Sequence, residues 1–236
     1  MCGRYVRQAD KQRIAEAFKA HASAETVLAP EDFNIAPSTF QPVIRQSRED
    51  NSRELVLMRW GLIPFFTKQL SDIKGISTIN AKAESIQKSP TWREPFKKRR
   101  CLVPATAFYE WKKLDPNPKQ KQPYAFSLPD TPLFAFAGLW DAWKDPNGNW
   151  LQSFTIVTTE ANELMSSVHT RMPVILHPRD YDRWLTRGDP SQPPIDLLRP
   201  YESEAMRMAE ANPRVGNVRN NGPEMLMPSS AGTVNA

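Results

Sequence analysis

The stretch LFAFAGLWDAWKDPNGNWLQSFTIVT, residues 133–158, decides the fold class. Two runs rich in aromatic and β-branched residues, 133–140 and 150–158, flank the turn sequence Asp145-Pro-Asn-Gly148. That arrangement predicts an antiparallel hairpin. The same texture recurs upstream at 42–46, 53–60, 99–104, 106–112 and 123–128, and Asp115-Pro-Asn-Pro118 supplies a second hairpin link between the last two. Helical spacing is confined to four places. At 10–20, Ile14, Ala17 and Phe18 repeat behind a capping Asp10. The others are about 80–89, with Asn80 as a competent cap, 159–168, and 178–187, where Pro178 suits a first turn. Strands that are not separated by regular helices predict an α+β protein rather than a doubly wound sheet. The expectation is one domain over 1–228, a curved, largely antiparallel, barrel-like sheet with peripheral helices, followed by a disordered tail at 229–236.

Composition narrows the classes. A chain of 236 residues buries roughly 70–75% of its unfolded surface, so it needs no staple. Two cysteines cannot form a disulfide framework. No apolar run of about 18 residues exists, and the opening MCGRYVRQAD lacks a signal peptide's apolar region. A cytoplasmic, reduced protein without membrane contact is expected, nucleoid-associated in a bacterium. Thirty-one Lys and Arg against 26 Asp and Glu give +5, which suits an anionic partner. The 22 prolines against 9 glycines fit fixed loops between short strands.

Cys2 carries the most chemical information. Removal of Met1 would leave an α-amine and a thiol on adjacent carbons, able to form an imine with an aldehyde and then close a thiazolidine. The α-amine titrates about 2–3 units below a lysine, so much more of it is neutral near pH 7. Alternatively Cys2 is an ordinary small residue at a frayed end. Cys101, in an apolar strand, reads as core. Glu110, between aromatics in Ala107-Phe-Tyr-Glu-Trp-Lys-Lys113, is a desolvated acid/base or half of an ion pair. His169 follows a short helix and is either structural or catalytic. The other histidines, His21 and His177, do not share metal-ligand spacing with it, so no metal site and no cofactor is indicated. Basic clusters at Lys97–Arg100, Lys112–Lys113 and Arg214–Arg219, interleaved with Trp60, Phe65, Phe66, Trp92 and Trp111, suit single-stranded nucleic acid or a solvated face over a Trp-rich core.

Taken in order, Met1-Cys-Gly-Arg4, Phe33-Asn-Ile-Ala-Pro37, Trp60-Gly-Leu-Ile-Pro64, Asn80-Ala-Lys-Ala-Glu84, Phe108-Tyr-Glu-Trp-Lys112, His169-Thr-Arg-Met-Pro173 and Val215-Gly-Asn-Val-Arg-Asn220 resemble the SRAP family, the SOS response-associated peptidases. The resemblance implies a protein that crosslinks itself to abasic sites in single-stranded DNA, including single/double-strand junctions, acting as a monomer. It assigns catalysis to Cys2, Asn80, Glu110 and His169. It assigns DNA contacts to Gly3, Arg4, Asn34, Pro37, Trp60, Phe66, Lys82, Arg171, Arg214, Asn217 and Arg219. Lyase and self-processing peptidase activity are also implied. Two positions depart from the family pattern: Lys82 stands where Arg is usual and loses its bidentate fork, and Phe66 replaces Trp. Two other readings give different chemistry. In an N-terminal-Cys amidohydrolase of the glutaminase type the amine would serve as base, and in a non-covalent single-strand binding module Cys2 would be incidental.

Overall fold

In the computed structural model, which describes residues 2–23 and 26–229, the 133–158 stretch forms the predicted hairpin. In chain order the elements are β1 (Tyr5–Arg7), α1 (Lys11–Phe18), β2 (His21–Ala22), β3 (Asp32–Ile35), β4 (Phe40–Gln46), β5 (Arg53–Trp60) and β6 (Asn80–Lys82). Then come α2 (Arg93–Lys98), β7 (Arg100–Ala105), β8 (Ala107–Lys113), β9 (Lys121–Ser127), β10 (Phe134–Lys144) and β11 (Trp150–Glu160). The last are α3 (Glu163–Ser166), β12 (Arg171–Pro173), β13 (Ile175–Leu176), α4 (Tyr181–Leu185) and β14 (Arg207–Glu210).

The strands β11, β10, β7, β4 and β5 pair successively in antiparallel fashion, and β5 returns to β11 through a parallel step at Arg59–Ser153 and Trp60–Phe154. The five strands close into a barrel, which removes the exposed edges an open sheet would carry. A second, antiparallel sheet runs β14-β9-β8-β1-β3. The chain crosses between the two at Thr106, whose N–H donates to the Val6 carbonyl at 2.8 Å. Period-two alternation sorts the side chains. Val43, Cys101, Val103, Phe136, Trp140 and Phe154 face a core shared with Tyr5, Phe108 and Phe126 of the second sheet. Ile44, Leu102, Ala137 and Val157 face outward beneath Ile14 and Phe18 of α1, Phe96 of α2 and Trp184 of α4. Gly138 lies where β10 crosses β7 most closely: a Cβ there would sit 2.8 Å from Cys101 Sγ and 2.9 Å from Val103 Cγ2.

The structure differs from the sequence expectations at short elements. Residues 80–82 are a strand, not a helix start, because β11 offers them parallel backbone partners at Ile156–Thr158. Only a 3-10 turn at Ala83–Ser85 follows, and Asn80 caps no helix. Residues 159–160 still belong to β11, and α3 is capped instead by Asn162, whose side chain accepts from Met165 N at 2.9 Å. The expected tail begins at the edge of the described residues and lies outside them beyond 229.

Candidate active site and nucleic-acid face

The site begins with the placement of β1 between β3 and β8. Tyr5 lies opposite Ile35 on one side and Phe108 on the other, and Tyr109 N–H donates to the Arg4 carbonyl at 3.0 Å. This register leads Gly3 and Cys2 alongside Glu110. Along β8, Ala107 and Tyr109 pack into a separate cluster, whereas Phe108 and Cys2 belong to the main core. Alternation puts Glu110 on that same main-core side, 3% exposed. Cys2 is buried too. Burial pushes its thiol well above the ordinary range, and the Glu110 carboxylate adds to the effect. Burial likewise raises Glu110 above the usual carboxylate value, against the pull of the neighbouring His169. The three groups are thus electrostatic neighbours.

His169 sits half-buried in the turn after α3, its N–H held by the Met165 carbonyl at 2.9 Å. Its Nδ1 accepts from Arg171 N–H at 2.9 Å, which assigns the neutral ring's proton to Nε2. The Arg171 carbonyl lies 3.2 Å from the same nitrogen.

Asn80 approaches along the β6–β11 seam. It is buried, its Nδ2 reaches the Ile156 carbonyl at 3.5 Å, and its Oδ1 has no hydrogen-bond partner among the described residues. Two residues on, exposed Lys82 pairs with Thr158, whose carbonyl accepts from Arg171 Nη2 at 2.8 Å. The same end of β11 therefore gathers Asn80, Lys82, Arg171 and, through Arg171, His169. Arg171 is not a free cation. It makes a bidentate pair with Glu84 at 2.5 and 2.9 Å, a partner that sequence reasoning missed although Glu84 lies in the Asn80–Glu84 string.

Other residues expected at DNA hold the fold. Arg4 donates to Asn34 Oδ1 and to the Val215 carbonyl, both at 2.7 Å. Asn34 in turn donates to the carbonyls of Asn217 and Asn220 at 3.0 and 2.7 Å. Together they strap β1 and β3 to the 213–220 segment, on which Arg214, Asn217 and Arg219 are exposed. Pro37 is half-buried in the turn after β3. Trp60 requires a correction: it is fully buried, edge-on to Tyr5 at 5.3 Å, with its Nε1–H on the Ile79 carbonyl at 3.0 Å. It offers no ring face to a base. Phe66 is exposed and packs edge-on against Phe65 at 5.4 Å. Asp141, buried beside Arg99, accepts from Phe65 N–H at 3.1 Å and so fixes that ring pair, an anchor with no local sequence signal.

Among the described residues no group of three or more His, Cys, Asp or Glu could hold a metal ion, and no helix is long and apolar enough to cross a membrane. The family model for SOS response associated peptidase (SRAP) matches residues 1–218. The chain belongs to the SRAP family. This SRAP chain is 37% identical over 227 residues to abasic site processing protein YoqW of Bacillus subtilis, covering 96% of the chain and 99% of that relative. It is 29% identical over 231 residues to abasic site processing protein HMCES of Rattus norvegicus, covering 84% and 65%. A crystal structure of a protein from Bacteroides thetaiotaomicron superposes with a TM-score of 0.85 at 26% identity, over 97% of the SRAP chain and 100% of that protein.

Proposed function

We propose that this SRAP protein processes abasic sites in single-stranded DNA by capturing them covalently through Cys2. The observation that carries the reading is the buried Cys2 thiol beside the buried Glu110 carboxylate, with His169 as a further electrostatic neighbour. The names of the curated relatives support the substrate.

Maturation removes Met1 and frees the α-amine of Cys2. The amine adds to the aldehyde carbon of the open abasic sugar, a C–N bond forms, and the carbonyl oxygen leaves as water. The thiol then adds across the imine: an S–C bond forms, the S–H proton ends on nitrogen, and a five-membered thiazolidine results. Because burial makes the thiol hold its proton tightly, this step needs a base. Glu110, with its own proton affinity raised, is suited to take a proton from the amine or the thiol and return it. His169 donates to the ring oxygen as the closed sugar opens, and the Asn80 amide polarises a sugar oxygen. Lys82, Arg214, Asn217 and Arg219 hold the strand, and Arg171 joins them by sharing its guanidinium with Glu84. A single strand spares the unstacking cost a duplex would impose. Adduct reversal with strand cleavage, and release of Met1 by the protein itself, are the lyase and peptidase activities this site would support.

The test is whether protein whose mass begins at Cys2 stays attached to an abasic oligonucleotide after heat denaturation. Attachment is expected. Its absence with fully matured protein would overturn the reading in favour of non-covalent binding.

A further inference from the structure

The barrel has a second open end. Residues that share the inward face of their strands, Arg45 on β4, Trp140 and Ala142 on β10, and Trp150 and Gln152 on β11, line a cavity of about 270 Å³ there, with Arg48 at its rim. The wall is built rather than loose. Arg45 is paired with Glu54 at 2.7 Å, donates to Gln152 at 3.1 Å and stacks over Trp140 at 4.6 Å. Arg45 is therefore neutralised. Arg48, 5.6 Å over the same indole, has no acidic partner among the described residues. Arg187 donates its guanidinium to the Gln46 carbonyl at 2.6 Å. Burial lowers its proton affinity, the charges of Arg48 and Arg45 act the same way, and Glu54 opposes them. Two acids on the neighbouring turns are engaged locally: Asp50 accepts from Ser52, and Asp145 from the backbone of Asn147 and Asn149. Above the cavity Trp150 is 68% exposed, with Lys144 5.8 Å from its ring. An exposed indole in the same cavity as the Arg48 guanidinium calls for a ligand with a flat face and a negative group.

We propose that this barrel mouth is a second nucleotide subsite, which takes a base against Trp150 and its phosphate on Arg48. It lies apart from the Cys2 site. Gln152 is at the mouth, whereas Asn80 pairs with Ile156 and Arg171 with Glu160, four and eight residues further along β11, or about 13 and about 26 Å at about 3.3 Å per residue. The ligand is a free nucleotide or one unit of a strand whose lesion sits at Cys2; only the second source rests on the proposed function.

The experiment follows the indole N–H resonance of Trp150, identified by its loss in Trp150→Phe, during titration of the wild-type protein with inorganic phosphate, thymidine monophosphate and long undamaged oligothymidylate. The resonance is expected to move with a base-bearing ligand and not with phosphate. Movement with the monophosphate assigns a free nucleotide, and movement with the oligomer alone assigns a strand. Trp150→Ala is expected to weaken the responsible ligand about 5- to 100-fold, as loss of one stacked base does. No movement with any base-bearing ligand, or the same movement with phosphate, overturns the proposal. No abasic site is used, so failure of covalent capture leaves this result readable. Conversely, Trp150→Ala should crosslink normally to an abasic oligonucleotide too short to reach the mouth.

Discussion

Glu110 is a carboxyl that burial makes costly to ionise. Its carboxyl is raised by burial, so between the ordinary carboxylate value and the raised one the folded chain keeps a proton that the unfolded chain releases. Stability therefore falls as pH rises through that window. Glu110→Gln removes the ionisable group, and its melting temperature should exceed that of the wild type above the window, with the gap closing as pH drops below it. The same variant should crosslink about 10²–10⁴-fold more slowly, which separates a catalytic from a structural carboxylate. Cys2→Ala should bind single-stranded DNA with near-normal affinity and leave no heat-stable adduct, whereas Cys101→Ala, altering a thiol inside the barrel, should crosslink normally. His169→Ala should slow capture of a closed abasic sugar but not of a pre-opened aldehyde; equal defects on both would reject its role in ring opening. At this scale the sequence was informative about Cys2, Glu110 and Cys101, because a position in the chain and a strand's alternation are local. It was uninformative about Arg4, Asn34 and Trp60, whose partners at 215–220, 34 and 79 are brought near only by folding.

Among the elements, β6 reads as a helix start in the sequence, 159–160 read as helix but belong to β11, and α2 (Arg93–Lys98) lies outside the four helical stretches. Asn80-Ala-Lys has a cap residue and helix formers, and the backbone partners that make it a strand lie more than seventy residues away on β11. The long strands β5, β10 and β11 could be read because each repeats its pattern over many residues; three-residue β1 and four-residue β3 are too short to show a period. The Glu84–Arg171 bridge joins the turn after β6 to β12 and is about half exposed on the acid side, so it contributes on the order of 1 kcal/mol or less to stability. On the proposed function, it also offsets the charge that Arg171 offers to a phosphate. Glu84→Gln should leave the melting temperature almost unchanged while steepening the salt dependence of DNA binding by about one released counterion, as Arg171 becomes free. An unchanged slope would mean that Arg171 never meets a phosphate.

For the whole molecule, barrel closure depends on the parallel contact of β5 with β11, a two-residue step between chain positions almost a hundred apart that leaves no trace in local sequence. The β8–β9 and β10–β11 pairings are legible from their hairpin turns; the non-local pairings and the closure are not. The tightness of the closed barrel is set at Gly138. Gly138→Ala should destabilise the protein by about 1–3 kcal/mol through overpacking against Cys101 and Val103, and Cys101→Ala should restore part of that loss in a denaturation midpoint. The strap from Arg4 and Asn34 to residues 215–220 has a consequence for synthesis. A ribosome makes Arg4 early and Asn220 more than two hundred residues later, so the first strand is among the first parts of the chain to exist and among the last to be seated. A product cut short before residue 213 lacks this clasp.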